Sequence, residues 1–366
     1  MLPSFTDDYF LILPSLEWCA SLNRTKANEL PSLLYFIISN VEEFDARLII
    51  RRTWLNNRES SLRAYFVLGL AMPETEDKDS LTIALVFQEA SLYADLIVAR
   101  FPDRYTNLPL KTLSMMYFVS NFCNNVDFIV KVDSDIYVFN SQIQRLAIKL
   151  WDFDRGVPRL KSAIYGHITT NASVVRKPGH KWFVPRYVYK QSKYPDYMAT
   201  SSYMLTNEAV LSIARNAYRI PFIAMEDVLF TGIIPNRLHI DLVDVGNFSA
   251  KLGIRNHTFL PDRLSCVHKL YDCNYRQTYL TSHAKNAERH LRYWLLQRLS
   301  DVNCKYGNRF ENRWNFSYNK ELWPVNLLLE NDFDFDTSRG NYTCYSNRTV
   351  DDLDYTEEPS VKKKLI

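Results

Sequence analysis

Between Ser32 and Val132 the sequence switches its hydrophobic period repeatedly, and that alternation limits the possible folds more than any other feature. The apolar runs in "SLLYFIISN" and "RAYFVLGL" have the length and the Val, Ile, Phe and Tyr content of buried strands. "DARLIIRRTWLNN" lies between them and reads as a helix, with Asp45 near its start and basic residues behind it. "LTIALVFQEASLYADLIVARF" and "LPLKTLSMMYFVSNFCNN" carry further helical periodicity, and the second runs straight into the buried strand Val126–Val132. Strand, helix, strand, helix, strand predicts an α/β fold with a mostly parallel central sheet flanked by helices. In open sheets of that kind ligands bind beyond the carboxyl ends of the strands. Asp133 and Asp135 stand at such an end, in "FIVKVDSDIYVFN".

Two like charges so close repel unless a cation lies between them. A D-x-D pair leaving a buried strand suits a hard divalent cation such as Mg²⁺ or Mn²⁺, held by carboxylates while it also meets substrate phosphates. Taken alone the pair fits a structural turn with Asx-type hydrogen bonds equally well. A second acidic pair, Glu226 and Asp227 in "FIAMEDVLFTG", sits between two apolar runs. Acids at a helix start interact favourably with the dipole. Where they are also partly desolvated, burial raises a carboxyl toward the range of a general base.

Composition excludes several classes. The chain has 366 residues, 47% hydrophobic and 14% aromatic, enough for a sizeable core and unlike a disordered protein. A net charge of +3 with mixed signs gives no basic field for nucleic acid, and Lys362–Lys364 read as a solvated terminal run. "YFLILPSLEWCA" and "LLYFIISNV" are too short to span a bilayer, and the N-terminus lacks the layout of a signal peptide. Seven N-x-S/T sequons, at Asn23, Asn171, Asn247, Asn256, Asn315, Asn341 and Asn347, exceed the roughly four that chance gives. Six cysteines (Cys19, Cys123, Cys266, Cys273, Cys304 and Cys344) are widely spaced and lack zinc-type pairs. Disulfides in a secretory lumen fit both counts; reduced core cysteines in a cytosolic protein remain the alternative.

Six stretches occur in a fixed order: "RLIIRRTW", "YFVLG", "E…YADLIVARFPDRYTNLPLKT", "KVDSDIYV", "YPDYMATSSYMLT" and "EDVLFTG". In order and spacing the chain resembles the β-1,3-galactosyltransferase and β-1,3-N-acetylglucosaminyltransferase family over roughly residues 10 to 275. The resemblance implies a GT-A glycosyltransferase fold with a nucleotide-binding α/β half and an acceptor-binding half. It implies an inverting hexosyltransferase that moves galactose or N-acetylglucosamine from a UDP-sugar donor onto a glycan acceptor in β-1,3 linkage. By the same resemblance Asp133 and Asp135 hold Mn²⁺ (or Mg²⁺) against the diphosphate, and His268 in "LSCVHK" completes the metal shell. Asp227 takes the acceptor proton, with Glu226 beside it. Arg47, Arg51, Trp54, Asp95, Lys111 and Ser134 fall at nucleotide-sugar positions, and Tyr194, Tyr197, Thr200, Ser202 and Tyr203 in the acceptor-binding stretch. Arg is suited to phosphate by its bidentate fork, although a solvated helix face accounts for Arg47 as well, and Asp95 with Lys111 also fits a structural ion pair.

The chain departs from the pattern in places. Family members usually carry three acids where this chain has Asp133, Ser134 and Asp135, and commonly Cys and Gly where it has Met198, Thr200 and Ser202. Side chains in place of glycine reshape a backbone that approaches a ligand, so the acceptor is not inherited with the fold. The resemblance implies a type II Golgi membrane protein that meets the membrane only through an anchor not among these residues. The expected organisation is a lead-in over 1–30, a catalytic domain over 31–285, and an extension over 286–350. That extension opens with an amphipathic helix in "HLRYWLLQRL" and is stapled by a Cys304–Cys344 disulfide; the charged tail over 351–366 is expected to be disordered. Two rivals stay open: a glycan-binding or chaperone-like relative that lost turnover, and a metal-dependent phosphoesterase, which D-x-D alone permits.

Overall fold

Leu33–Ile38 are buried at all six positions, the pattern of a strand covered on both faces, and the sheet is built outward from them. The computed structural model describes residues 1–6, 8–22, 29–56, 63–70, 80–199, 201–245, 281–284, 289–291 and 293–294. All belong to one unit drawn from Met1–Gly253 and Gln277–Leu299. In chain order the elements begin β1 (Phe10–Ile12), α1 (Glu17–Ser21), β2 (Leu33–Ile38), α2 (Phe44–Arg52), β3 (Arg63–Gly69), α3 (Ser80–Tyr93) and β4 (Leu96–Ala99). They continue with α4 (Leu108–Phe122), β5 (Phe128–Asp133), β6 (Ile136–Val138), α5 (Asn140–Lys149), β7 (Trp151–Asp152), β8 (Val157–Pro158), β9 (Ala163–Gly166) and β10 (Ile168–Thr169). The rest are β11 (Tyr197–Met198), β12 (Ser202–Thr206), α6 (Asn207–Asn216), α7 (Glu226–Val228), a π-helical turn (Leu229–Ile233), α8 (Ile234–Leu238), β13 (Asp241–Asp244) and β14 (Thr281–His283).

Eight strands form the main sheet in the order β1-β4-β3-β2-β5-β12-β9-β13. The expected α/β fold is present. The four strands β4, β3, β2 and β5 pair in parallel, whereas β12 runs antiparallel to both β5 and β9, and β1 antiparallel to β4. The sheet thus has the two halves that the resemblance implies: a parallel half whose crossovers are helices, joined through β12 to a mixed half. The residues before Leu30 form part of this unit. β1 closes one edge of the sheet, the Tyr117 hydroxyl donates to the carbonyl of Pro3 at 2.6 Å, and a disulfide joins Cys19 in α1 to Cys123 at the end of α4. The expected Cys304–Cys344 pair lies outside the described residues.

One segment read as helical divides in two. "LTIALVFQEASLYADLIVARF" is helix only to Tyr93; Ala94 takes a left-handed φ of 52°, and Leu96–Ala99 form β4. Only Ala94 and Asp95 separate the apolar helix from the buried strand, with no Gly or Pro between them, so periodicity does not divide the two. Farther on, residues 289–291 and 293–294 are helical, as "HLRYWLLQRL" leads one to expect, and bury His290, Tyr293 and Trp294. Among the described residues no helix is long and apolar enough to cross a membrane.

Candidate active site

The carboxyl end of β5 carries the D-x-D pair, and the pairing of β5 with β2 and β12 and of β6 with β14 fixes its surroundings. The Asp133 amide donates to the carbonyl of Ser201 at 3.0 Å, and that of Ser134 to Ile38 at the end of β2 at 2.9 Å. The Ser134 hydroxyl donates to Glu43 at 2.7 Å, and the same carboxyl oxygen accepts from the Ser39 hydroxyl and the Asn40 amide. Ser134 therefore secures the turn between the two acids to the loop after β2. Asp135 is half-exposed. β14 pairs with β6 so that His283 stands opposite Ile136, which brings the His283 Nδ1 to 3.7 Å from an Asp135 oxygen. That Nδ1 is buried and makes no hydrogen bond among the described residues. Its imidazole, more than burial opposes, holds the Asp135 carboxyl below the usual range. His283 was not anticipated. His268 lies outside the described residues.

Lys131 was not anticipated either. It sits on the otherwise apolar β5, 1% exposed, with its ammonium 2.7 Å from Asp133 and 3.2 Å from Glu226. Burial works against that charge, but the two carboxylates outweigh it and hold the ammonium above its ordinary value. A charged residue in the middle of an apolar strand was the signal, because a buried ammonium requires counter-charges. Asp133 responds in the opposite sense: burial pushes its carboxyl up, only partly offset by Lys131.

The cations expected at the nucleotide are engaged within the protein. Arg47 is fully buried; its guanidinium pairs with Glu89 at 2.7 Å and donates to the Ser39 hydroxyl and the carbonyls of Asn40 and Val41. Arg51 meets Asp95 through two bonds of 2.8 Å and Glu89 through a third, with Phe66 and Tyr93 rings beside it. Lys111, also buried, pairs with Asp103 at 2.6 Å and donates to the carbonyl of Ser39. Asp103 in turn accepts from the Val41 amide. Arg47, Lys111 and Asp103 thus converge on residues 39–41, the loop leaving β2 next to the D-x-D turn, and act on the site by shaping it. Asp95 serves Arg51. Trp54 is buried with its ring 6.0 Å from that of Tyr35.

The acceptor half turns on α7. Glu226 is 4% exposed and fully engaged, accepting from the Tyr203 hydroxyl at 2.6 Å and the Thr112 hydroxyl at 2.9 Å besides Lys131. Asp227, the next residue, has no ion pair among the described residues. One carboxyl oxygen accepts its own helix amide at Val228, and the other has no hydrogen-bond partner among the described residues. Burial, with the neighbouring Glu226 charge, lifts its pKa from 3.8 to about 6. The Thr231 hydroxyl donates to the Asp227 carbonyl and accepts the Met198 amide, tying β11 to this turn. A Cβ on Gly232 would stand 2.8 Å from that of Tyr197, so only glycine lets Tyr197 settle against the π-helical turn. Tyr194 packs against Tyr197 and Tyr189, and its hydroxyl is buried with no partner. Both Tyr194 and Tyr197 feel the Asp227 charge, after burial, in their raised pKa values.

Two of the three departures in the acceptor stretch turn inward. Met198 is buried, its sulfur filling the space that a side chain at Gly166 would take. Ser202 is buried with its hydroxyl 2.8 Å from that of Thr281, and Tyr203 is buried on Glu226, so neither meets an acceptor directly. They face the interior because β12 is covered on both sides, all five of its residues being buried. Thr200 lies outside the described residues.

The Galactosyltransferase family matches residues 45–246, more than half of the chain. Beta-1,3-galactosyltransferase 5 of Mus musculus is 30% identical over 215 residues, 57% of this chain and 65% of that protein. Beta-1,3-galactosyltransferase 1 of Mus musculus is 29% identical over 276 residues, 74% of this chain and 75% of that protein. The chain thus spans about two thirds of the length of the first of these relatives. Among solved structures, the galactosyltransferase LgtC with donor and acceptor sugar analogs covers 73% of the chain at 12% identity and a TM-score of 0.37. On the family match, the chain belongs to the Galactosyltransferase family, a family of glycosyltransferase enzymes.

Proposed function

We propose that this chain is an inverting β-1,3-galactosyltransferase that moves galactose from UDP-galactose to a glycan acceptor. One observation carries the reading: of two adjacent acids, Glu226 is consumed by a buried network while Asp227 keeps a free carboxyl oxygen and a pKa of about 6. A carboxyl poised there is mostly ionised at neutral pH and still basic enough to accept a proton in a transition state. Asp227 takes the proton of the acceptor hydroxyl as that oxygen bonds to the anomeric carbon of galactose. The bond from that carbon to UDP breaks on the opposite face, which inverts the configuration to β.

Two carboxylates and an imidazole at one strand end are donors that fit Mn²⁺ or Mg²⁺, and the buried Nδ1 of His283, 3.7 Å from Asp135, is placed to share a cation with that carboxylate. Among the described residues no three such groups yet stand as a formed cluster. Asp133, Asp135 and His283 would hold the cation, which when bound neutralises charge on the departing diphosphate. The loop 39–41, fixed by Arg47, Lys111 and Asp103, lines the neighbouring nucleotide side. The Cys19–Cys123 disulfide and the exposed sequon at Asn171 favour an oxidising secretory lumen, and we place the enzyme in the Golgi.

The test measures UDP release from UDP-galactose and UDP-N-acetylglucosamine with saccharide acceptors and Mn²⁺, beside calorimetric titration of Mn²⁺ with UDP. Transfer of galactose alone is expected. Asp135→Asn and His283→Ala are each expected to weaken Mn²⁺-dependent UDP binding by about 10- to 100-fold. UDP-sugar binding without transfer to any acceptor would replace the enzyme with a glycan-binding relative, and hydrolysis of simple phosphate esters would replace it with a phosphoesterase.

A further inference from the structure

Acids and bases nearly balance over the whole chain, 41 against 44, yet no Asp or Glu occurs between Asp154 and Asp196, while nine Lys and Arg do. Six of the nine fall within Arg176–Lys193, the segment that leads into Tyr194 and the acceptor strand β11. Arg176 spends its guanidinium on the carbonyls of Val184, Tyr189 and Gln191, which folds the segment back on itself without any carboxylate to offset the charge. The same segment leaves Trp182 and Tyr187 exposed, at 51% and 86%.

This segment closes over a cavity of about 380 Å³, within the size range of small-ligand sites. Tyr189, Lys193 and Tyr194 line one side, and Ile233, Asn236 and Arg237 of the helical run that begins at Glu226 line the other. Three features make it a built site. Tyr194 is 7% exposed and its hydroxyl lacks a hydrogen-bond partner among the described residues. Lys193 is steadied by the Asn171 side-chain oxygen and forms no ion pair among the described residues. Arg237 is exposed and forms no ion pair among the described residues. Two aromatic faces suit the apolar face of a sugar ring, and two unneutralised cations suit an anion attached to it. Ile233 lies about 9 Å along the helix from Asp227 at 1.5 Å per residue, so the cavity receives the sugar next to the one that is glycosylated.

We infer that the cavity between Tyr194 and Arg237 is an acceptor subsite for an anionic sugar, one bearing a carboxylate or a sulfate, adjacent to the sugar that accepts galactose. This rests on the galactosyl-transfer reading above, but the binding does not need turnover. The experiment measures both on the full chain. Transfer from UDP-galactose is compared for acceptor oligosaccharides that differ only in whether the penultimate sugar is neutral, a uronate or sulfated, and their direct binding is followed by fluorescence.

The charged acceptors are expected to show a KM about three- to tenfold below the neutral one, an advantage that shrinks with salt. The double variant Lys193→Gln/Arg237→Gln should erase that advantage and leave kcat and the neutral acceptor alone. Tyr194→Phe, with the charges in place, should weaken all three. Preference for the uronate over the sulfate, or the reverse, identifies the anion. Equal KM values for neutral and charged acceptors, or a double variant that keeps the preference, overturns the inference, as does binding to anionic lipid vesicles in place of oligosaccharides. Charge-dependent binding without any transfer would sink the galactosyltransferase reading and keep the subsite.

Discussion

The proposed donor end and the proposed acceptor end of this molecule treat charge in opposite ways. Around the loop 39–41, Arg47, Arg51 and Lys111 are each matched to a carboxylate within 2.8 Å, and the cations are nearly or wholly withdrawn from solvent. Around α7 and the Tyr194 cavity, Asp227 has no cation, Tyr194 no partner for its hydroxyl, and Arg237 no ion pair among the described residues. A buried charge whose bonds are all used inside the protein holds shape; one whose bonds are left open has capacity for a ligand or a proton. By that criterion the loop 39–41 is rigid scaffolding beside a few less engaged groups, chiefly Asp135 and His283, and the open acid at α7 suits the proton transfer proposed for it.

The largest effect should come from the open acid. Asp227→Asn is expected to lower kcat by a factor of about 10²–10⁴ with Mn²⁺ and UDP affinity near normal. Folding should not suffer, and the sign is worked out from the shift. The folded-state pKa, about 6, lies above the ordinary 3.8, so the stabilising share belongs to the protonated form; it is complete below 3.8 and lost as pH rises through about 6. At pH 7 the ionised carboxyl is therefore a net cost, and Asp227→Asn should raise stability by on the order of 1–2 kcal/mol. In the unsubstituted protein kcat should fall about tenfold per unit as pH drops below about 6. Denaturant melts and pH–rate profiles on the same preparations read both, and a variant that is inactive because it is unfolded ends the assignment of Asp227 as base.

Lys131 comes next, because it joins the two ends. Lys131→Met leaves Asp133 and Glu226 facing each other without their shared ammonium, and should cost about 3–5 kcal/mol of stability. Adding Glu226→Gln should restore part of the loss, since one of the unpaired charges is then gone. A double variant no better than the single one would show that Lys131 serves Asp133 alone.

Much of this was legible in the sequence for one reason: it is local. The parallel strands β2, β3 and β5, the helix α2 and the D-x-D turn each announce themselves within a dozen residues, by period and by where the acids stop an apolar run. What could not be read is pairing across distance. Arg47 finds Glu89 at a separation of 42 residues, and Glu226 finds Thr112 at 114. His283 reaches Asp135 only because β14 returns to pair with β6. For the same reason Ser202 and Tyr203, which sequence places with the acceptor residues, turn into the sheet, while Thr231 and Gly232, unremarkable in "EDVLFTG", position both Asp227 and Tyr197. Period gives which residues share a face; it does not give what that face meets.

The smallest predicted effect is the one that most directly tests whether donor-end cations are scaffold. Arg51 is a natural candidate for phosphate, being a guanidinium near a nucleotide-binding strand end, and Arg51→Lys would then weaken UDP binding because a point charge replaces a planar fork. The geometry argues otherwise. Nε and Nη2 lie 2.8 Å from the two oxygens of Asp95, Nη1 lies 2.8 Å from Glu89, and the Tyr93 ring stands 3.9 Å from the guanidinium carbon. Lysine cannot serve both carboxylates in that geometry or stack flat on the ring. Arg51→Lys is therefore expected to lower stability by about 1–3 kcal/mol while UDP affinity per folded molecule stays the same. A denaturant melt beside a UDP titration separates the two outcomes. An unchanged melt with weakened UDP binding would move Arg51 from the scaffold to the phosphates, and the contrast between a closed donor end and an open acceptor end would lose its clearest case.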